Sequence, residues 1–183
     1  MSDTETASGV LAVLPMATRP LPAAPTLLVI LDAVSNPGNL GTILRTAAAA
    51  GADGVLLGPG SVDAYNPKAV RGSMGALLRL PVWAETWEVI GRLTAEMAVW
   101  LAAARDGVAY TAVDWRRPAA ILIGSEAQGA GAQAARLATG PVTIPMHAAT
   151  ESLNAAMAAG ILLFEAARQR ATPVETGRRP VST

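Results

Sequence analysis

Apolar residues fall along this chain in two patterns that take turns. Short unbroken runs occupy Leu27–Leu31, Gly54–Leu57, Leu80–Trp83, Ala98–Ala103, Ala119–Ile123 and Val142–Ile144, the last closed by Pro145. Runs of this kind, without alternation, are what strands buried on both faces present. Between them lie stretches with helical spacing. One begins at Leu40 with Asn39 as its cap, and one begins at Pro67, a favoured first helical residue. Another spans Glu85–Met97, with Trp87, Ile90, Leu93 and Met97 on one side, and a short one covers Ala132–Leu137. The longest runs from Ser152 to Arg170, where Leu153, Met157, Ile161 and Phe164 recur at steps of four and three and share one apolar face. Ala156, Ala159, Gly160 and Ala166 keep much of that helix small, as close packing requires. Val108–Pro118 reads as loop. No internal repeat is present.

Strands alternating with helices predict an α/β fold: a mostly parallel sheet with helices on both faces and ligands at the carboxyl ends of the strands. The domain is expected over residues 26–170. Residues 1–25 read as an extended leader that ends in a proline-rich linker, and residues 171–183 as a flexible tail. Three polar turns fall at strand ends: Asn36–Arg45, Gly124–Glu126 and Ile144–Asn154. In the first, Gly38 and Gly41 allow close backbone approach, and the helix start offers free N–H groups to an anion. In the third, Ser152 and Asn154 stand where a helix begins and can satisfy its free N–H groups.

Composition narrows the chemistry. With 183 residues, 51% of them hydrophobic and 15% charged, the chain is expected to form one globular domain. No stretch offers the roughly 20 apolar residues that a membrane span needs. Val10–Met16 follows acidic residues and is too short for a secretory signal. The absence of cysteine excludes disulfides, thiolate metal sites and cysteine nucleophiles, and fits a cytoplasmic setting. A single histidine, His147, argues against a histidine metal cluster or a triad, so no metal is expected. Net charge is zero, so any nucleic-acid site must come from a local cluster. Lys68, Arg71 and Arg79 come nearest to one. Gly129–Ala134 matches the dinucleotide pattern Gly-x-Gly-x-x-Ala, but it lies beyond the strand end where that fingerprint belongs, which makes it a decoy.

The three turns together resemble the TrmH (SpoU) family of RNA ribose 2′-O-methyltransferases, within the SPOUT superfamily. Asn36-Pro-Gly-Asn-Leu-Gly-Thr-Ile-Leu-Arg45 is similar to the first motif of that family. Gly124-Ser-Glu126 is similar to the second, and Ile144-Pro-Met146 with Ser152-Leu-Asn154 to the third. The resemblance implies a C-terminal trefoil knot, a homodimer, S-adenosylmethionine as methyl donor and structured RNA (rRNA or tRNA) as partner. It implies that Gly124, Ile144, Met146 and Leu153 hold the cofactor. Arg45, Asn36, Glu126, Ser152 and Asn154 are implied as the catalytic or substrate-ordering set. A guanidinium gives up its proton reluctantly, so Arg45 is favoured as a phosphate clamp over a base. Two other readings stay open: a knotted binding protein without catalysis, and a nicotinamide-dependent oxidoreductase.

Overall fold

Leu27–Leu31 lies at the centre of the computed structural model, which describes residues 13, 19–126, 128–147 and 151–171. All five side chains of this strand, β1, are fully buried: it has a parallel neighbour on each side and packed layers on both faces. The other elements follow as α1 (Pro37–Ala49), β2 (Gly54–Leu57), α2 (Pro67–Gly72), β3 (Val82–Ala84), α3 (Trp87–Leu93), β4 (Ala98–Ala103), β5 (Val108–Ala109), β6 (Ala119–Ile123), α4 (Ala132–Leu137), β7 (Gly140–Thr143) and α5 (Ala155–Arg170). Among the described residues they form one seven-stranded sheet in the order β3-β2-β1-β6-β4-β7-β5, with every ladder parallel. Helices cover both faces, as the alternation predicts. Leu27, Val29 and Leu31 point into a core shared with α1, α2 and α5, while Leu28 and Ile30 point into one shared with α3 and α4. Each such side chain contributes about 1.5–3 kcal/mol by leaving water.

Several boundaries differ from the sequence expectation. α1 starts at Pro37, not Leu40, and its cap is Asn36, whose Oδ1 accepts from the N–H groups of Gly38 and Asn39. α5 starts at Ala155 with Asn154 as cap, so Ser152 lies outside the helix. The Glu85–Met97 stretch shortens to α3, capped by Thr86. The third strand shifts to Val82–Ala84, the last one begins earlier, at Gly140, and Val108–Pro118 holds a short edge strand and a 3-10 turn. The proline-rich segment that starts at Arg19 is docked: Arg19 donates to the Leu78 carbonyl at 2.8 Å and accepts from the Trp83 indole at 2.8 Å. The tail from residue 172 and most of the leader lie outside the described residues.

The largest difference concerns α5. Its buried face is Ala155, Ala156, Ala159, Leu162, Leu163 and Ala166, whereas Met157 is 60% exposed and Phe164 54%. Both stripes have helical spacing, and the one that takes the core mixes alanines with Leu162 and Leu163, while a Cβ on Gly160 would lie in ordinary contact with Thr46 of α1. α1 and α2 approach more closely still. A Cβ on Gly41 would lie 2.8 Å from the Ala69 carbonyl oxygen and 2.9 Å from Gly72 Cα, so only glycine fits there.

The far end of α5 is pinned by a polar network. Glu165, buried, accepts from Arg168 at 2.7 and 2.8 Å and from Gln169 at 2.8 Å. Gln169 in turn donates to the Val113 carbonyl and accepts from the Trp115 N–H. Arg170 donates to the carbonyls of Trp115, Thr26 and Arg117, which ties the helix to the start of β1. The Arg168 guanidinium holds the Glu165 carboxyl below its ordinary range, burial opposes this, and Gln169 adds to the lowering. A carboxyl lowered by folding stabilises the fold at neutral pH and loses that contribution as pH falls through its folded value. Glu165→Gln should therefore cost about 1 kcal/mol near pH 7, discounted for the exposed Arg168 partner. In calorimetric melts the gap to the parent should close below about pH 4. A gap that persists undiminished at about pH 3 would assign the loss to packing instead.

Candidate active site

β6, β4 and β7 stop at one edge of the sheet, and their carboxyl ends open into a cavity of about 570 Å³. That volume is within the range of small-molecule sites. Its apolar side is Ile123, Val142, Ile144, Met146, Leu153 and Leu162; its polar side is Asn36, Asn39, Ser125, Glu126, Ser152 and Asn154. Strand ends supply the first three apolar residues, and α5 with the segment before it supplies Leu153, Asn154 and Leu162.

The loop after β6 is held in place by backbone. A Cβ on Gly124 would collide with the main chain of Gly129 and Ala130, so glycine is required for the loop to fold back. Ser125 and Gly129 exchange two backbone hydrogen bonds of 2.9 Å, with Gly129 in the left-handed region at φ 68°. Asp32, buried at the end of β1, accepts from the Gly131 N–H at 2.6 Å and closes the other side of the loop. That bond also weighs against a dinucleotide site at the Gly129–Ala134 pattern. The start of α4, where a dinucleotide pyrophosphate would need free N–H groups, faces a carboxylate.

Three polar side chains join across the cavity wall. The Asn39 amide donates to Glu126 Oε1, and its carbonyl oxygen accepts from Asn154 Nδ2 at 3.2 Å. Asn154 Oδ1 accepts from the N–H groups of Ala156 and Met157 at 2.9 and 3.3 Å, capping α5. Asn39 thus links α1, the β6 loop and α5. Ser152 stands exposed at the rim.

Every site residue expected from the sequence lines this cavity except Arg45. Because α1 begins at Pro37, Arg45 falls on its third turn, about 9 Å along the axis from Asn39. There it is exposed and lines a separate groove with Arg79. Sequence reasoning missed Asn39 as a site residue by making it the helix cap. Pro37 carried the corrective signal: proline favours the first helical position, which makes Asn36 the cap and frees the Asn39 side chain. Asp32 gave no such signal. Among the described residues no group of His, Cys, Asp and Glu is arranged to hold a metal ion, and no helix is long and apolar enough to cross a membrane.

A profile of the SpoU rRNA Methylase family matches residues 26–164. The chain belongs to the SpoU methylase family. It is 38% identical over 168 residues to the 23S rRNA (guanosine(2553)-2′-O)-methyltransferase RlmP of Bacillus subtilis, across 90% of this chain and 66% of that protein. The SpoU methyltransferase AviRb of Streptomyces viridochromogenes, crystallised with AdoMet, superposes with a TM-score of 0.76 at 33% identity, covering 82% of this chain and 63% of that one. The TrmH/SpoU tRNA modifying enzyme of A. aeolicus superposes with a TM-score of 0.65 at 27% identity, over 80% and 76% of the two chains. This SpoU chain therefore spans just under two thirds of the length of RlmP and AviRb.

The Asn39 link makes a graded expectation. Asn39→Ala should lower stability by about 1 kcal/mol, since two partly exposed side-chain hydrogen bonds are lost. Asn39→Asp should cost more, because it sets a carboxylate beside Glu126. Thermal melts ranking Asp as milder than Ala would show that Asn39 does not contact Glu126 in solution.

Proposed function

We propose that this protein transfers a methyl group from S-adenosylmethionine to a ribose 2′-hydroxyl of structured RNA, ribosomal or transfer. The observation that carries this reading is the convergence of all three SpoU motif turns on one cavity, with apolar walls on one side and linked amide and carboxylate groups on the other. AdoMet in AviRb and the rRNA and tRNA targets named for the relatives support the choice of donor and acceptor.

The cavity fits such a donor on its own chemistry. Ile144, Met146 and Leu153 offer apolar surface for an adenine face. Gly124 brings main-chain groups of the strand end to the cavity wall for edge hydrogen bonds. When bound, the donor supplies a methyl carried on a sulfonium. The residues of this chain contribute alignment, which accounts for much of the rate of an in-line displacement. Asn39 holds Glu126 and Asn154 in fixed relation at the mouth, and Ser152 offers a hydroxyl to the incoming ribose. Arg45 acts from outside the cavity, on a phosphate next to the target ribose. There its charge stabilises the oxyanion that develops as the hydroxyl loses its proton. Asn36 serves the site through the α1 cap it forms.

The same reading includes a homodimer and a knotted C-terminal segment. The face of α5 turned away from the core, with Met157 and Phe164 exposed, suits a second copy of this chain. A patch of this kind beside a cavity is what an interface leaves on a free protomer.

Two experiments decide. Labelled donor and total RNA should give modified riboses with the parent chain. Arg45→Ala should lose about 10²–10³ in rate at saturating donor, and Arg45→Lys should recover little, since lysine keeps the charge but not the planar fork. Donor affinity, read by calorimetry, should stay at the parent value in both, whereas Leu153→Asp should abolish it by placing a charge against the apolar wall. Donor binding without transfer to any RNA would leave a binding protein and overturn the enzymatic reading. For the dimer, Met157→Glu with Phe164→Glu should give a protomer mass in light scattering. A parent that is already monomeric removes that part of the proposal.

A further inference from the structure

Within a chain of zero net charge, one region is wholly cationic. No carboxylate lies between Asp32 and Asp53, nor between Asp63 and Glu85, yet these segments carry Arg45, Lys68, Arg71 and Arg79. The first segment contains α1, and the second contains α2 with the turn that follows it. α1 and α2 pack directly on each other, so the two cationic segments form one face. In that face lies a groove of about 550 Å³, floored by Ala48, Ala49, Ala52 and Leu80 and flanked by Arg45 and Arg79.

Among the described residues, Arg45 and Arg79 form no ion pair and no side-chain hydrogen bond, and both are exposed. The small floor leaves their planar groups room to turn inward. Met74 stands on the rim, 67% exposed, in a left-handed backbone at φ 48° that a methionine adopts reluctantly. Two unpaired guanidinium groups over an apolar floor match a phosphodiester with its sugar: forked donors for the oxygens, aliphatic surface for the ribose. The carbonyl end of α1 opposes an anion here, but the cap N–H of Ala50 already occupies carbonyls of its last turn, and two full charges outweigh the remainder.

We propose that this groove is a second contact for the RNA strand, in which Arg79 joins Arg45 in holding a phosphate that flanks the target nucleotide. The proposal rests on the RNA methyltransferase reading. It adds Arg79 as a substrate-binding residue and runs the strand from the cavity mouth along α1 toward the turn after α2.

The test compares Arg79→Ala, Arg79→Lys and a control, Arg92→Ala, on α3 on the opposite face of the sheet. Binding of fluorescein-labelled oligouridylate is measured over a series of salt concentrations, alongside methyl transfer to total RNA. For Arg79→Ala the slope of log affinity against log salt should fall by about one, while Lys should keep most of it as a point charge. KM for RNA should rise with kcat and donor affinity near the parent values, and Arg92→Ala should match the parent throughout. If the parent methylates RNA but Arg79→Ala keeps its salt slope, the groove proposal is wrong and the enzymatic reading stands. A change of mass in light scattering with an unchanged slope would make the face a protein contact, also against the proposal. A parent that neither binds the oligonucleotide nor transfers methyl brings down both.

Discussion

A single amide holds the candidate site together. Asn39 donates to Glu126 and accepts from Asn154, and Asn154 spends its own oxygen on the first turn of α5. Three segments far apart in sequence are fixed to one another through that side chain. The individual bonds are weak by the ordinary exchange with water, each worth about 0.5–1.5 kcal/mol net. Their value lies in position, because a reaction that depends on alignment loses rate steeply when its groups drift. The cavity could keep its apolar walls without Asn39, but its polar groups would no longer share one frame.

The sheet supplies the rest of that frame. Parallel strands with buried faces end at a common edge, and the loops that leave them must return over it. At β6 the return is so tight that only glycine fits at 124, and the buried carboxylate of Asp32 secures the loop from the neighbouring strand. The same carboxylate occupies the Gly131 N–H, one of the donors that a dinucleotide fingerprint would offer to a pyrophosphate.

The fold was legible because burial on both faces writes itself plainly: β1 and β6 are apolar from end to end, and both are fully buried. The cavity lining was legible where residues stand at strand ends, as with Gly124, Glu126 and Ile144. It failed where two local rules competed. Asn36 and Asn39 are both good helix caps, and only the proline between them decides. Along α5 two stripes satisfy the same period, and the one carrying Ala159, Leu162, Leu163 and Ala166 faces the core while Met157 and Phe164 face outward. Periodicity locates a face but does not say which neighbour it meets. Arg45 was placed one stretch of helix too near the cavity, a direct result of the misplaced cap.

The glycine contact between α1 and α2 has a consequence beyond packing. Where two helices touch through backbone atoms, no side chain between them can change rotamer and let them slide. The anchor points of Arg45, Lys68 and Arg71 are therefore held at fixed separations, like marks on a ruler, although their side chains swing freely in solvent. A polyanion laid across this face meets a preset spacing of charges and spends little entropy on ordering the protein. The cost is adaptability: a polyanion whose charges are spaced differently would find the marks in the wrong places.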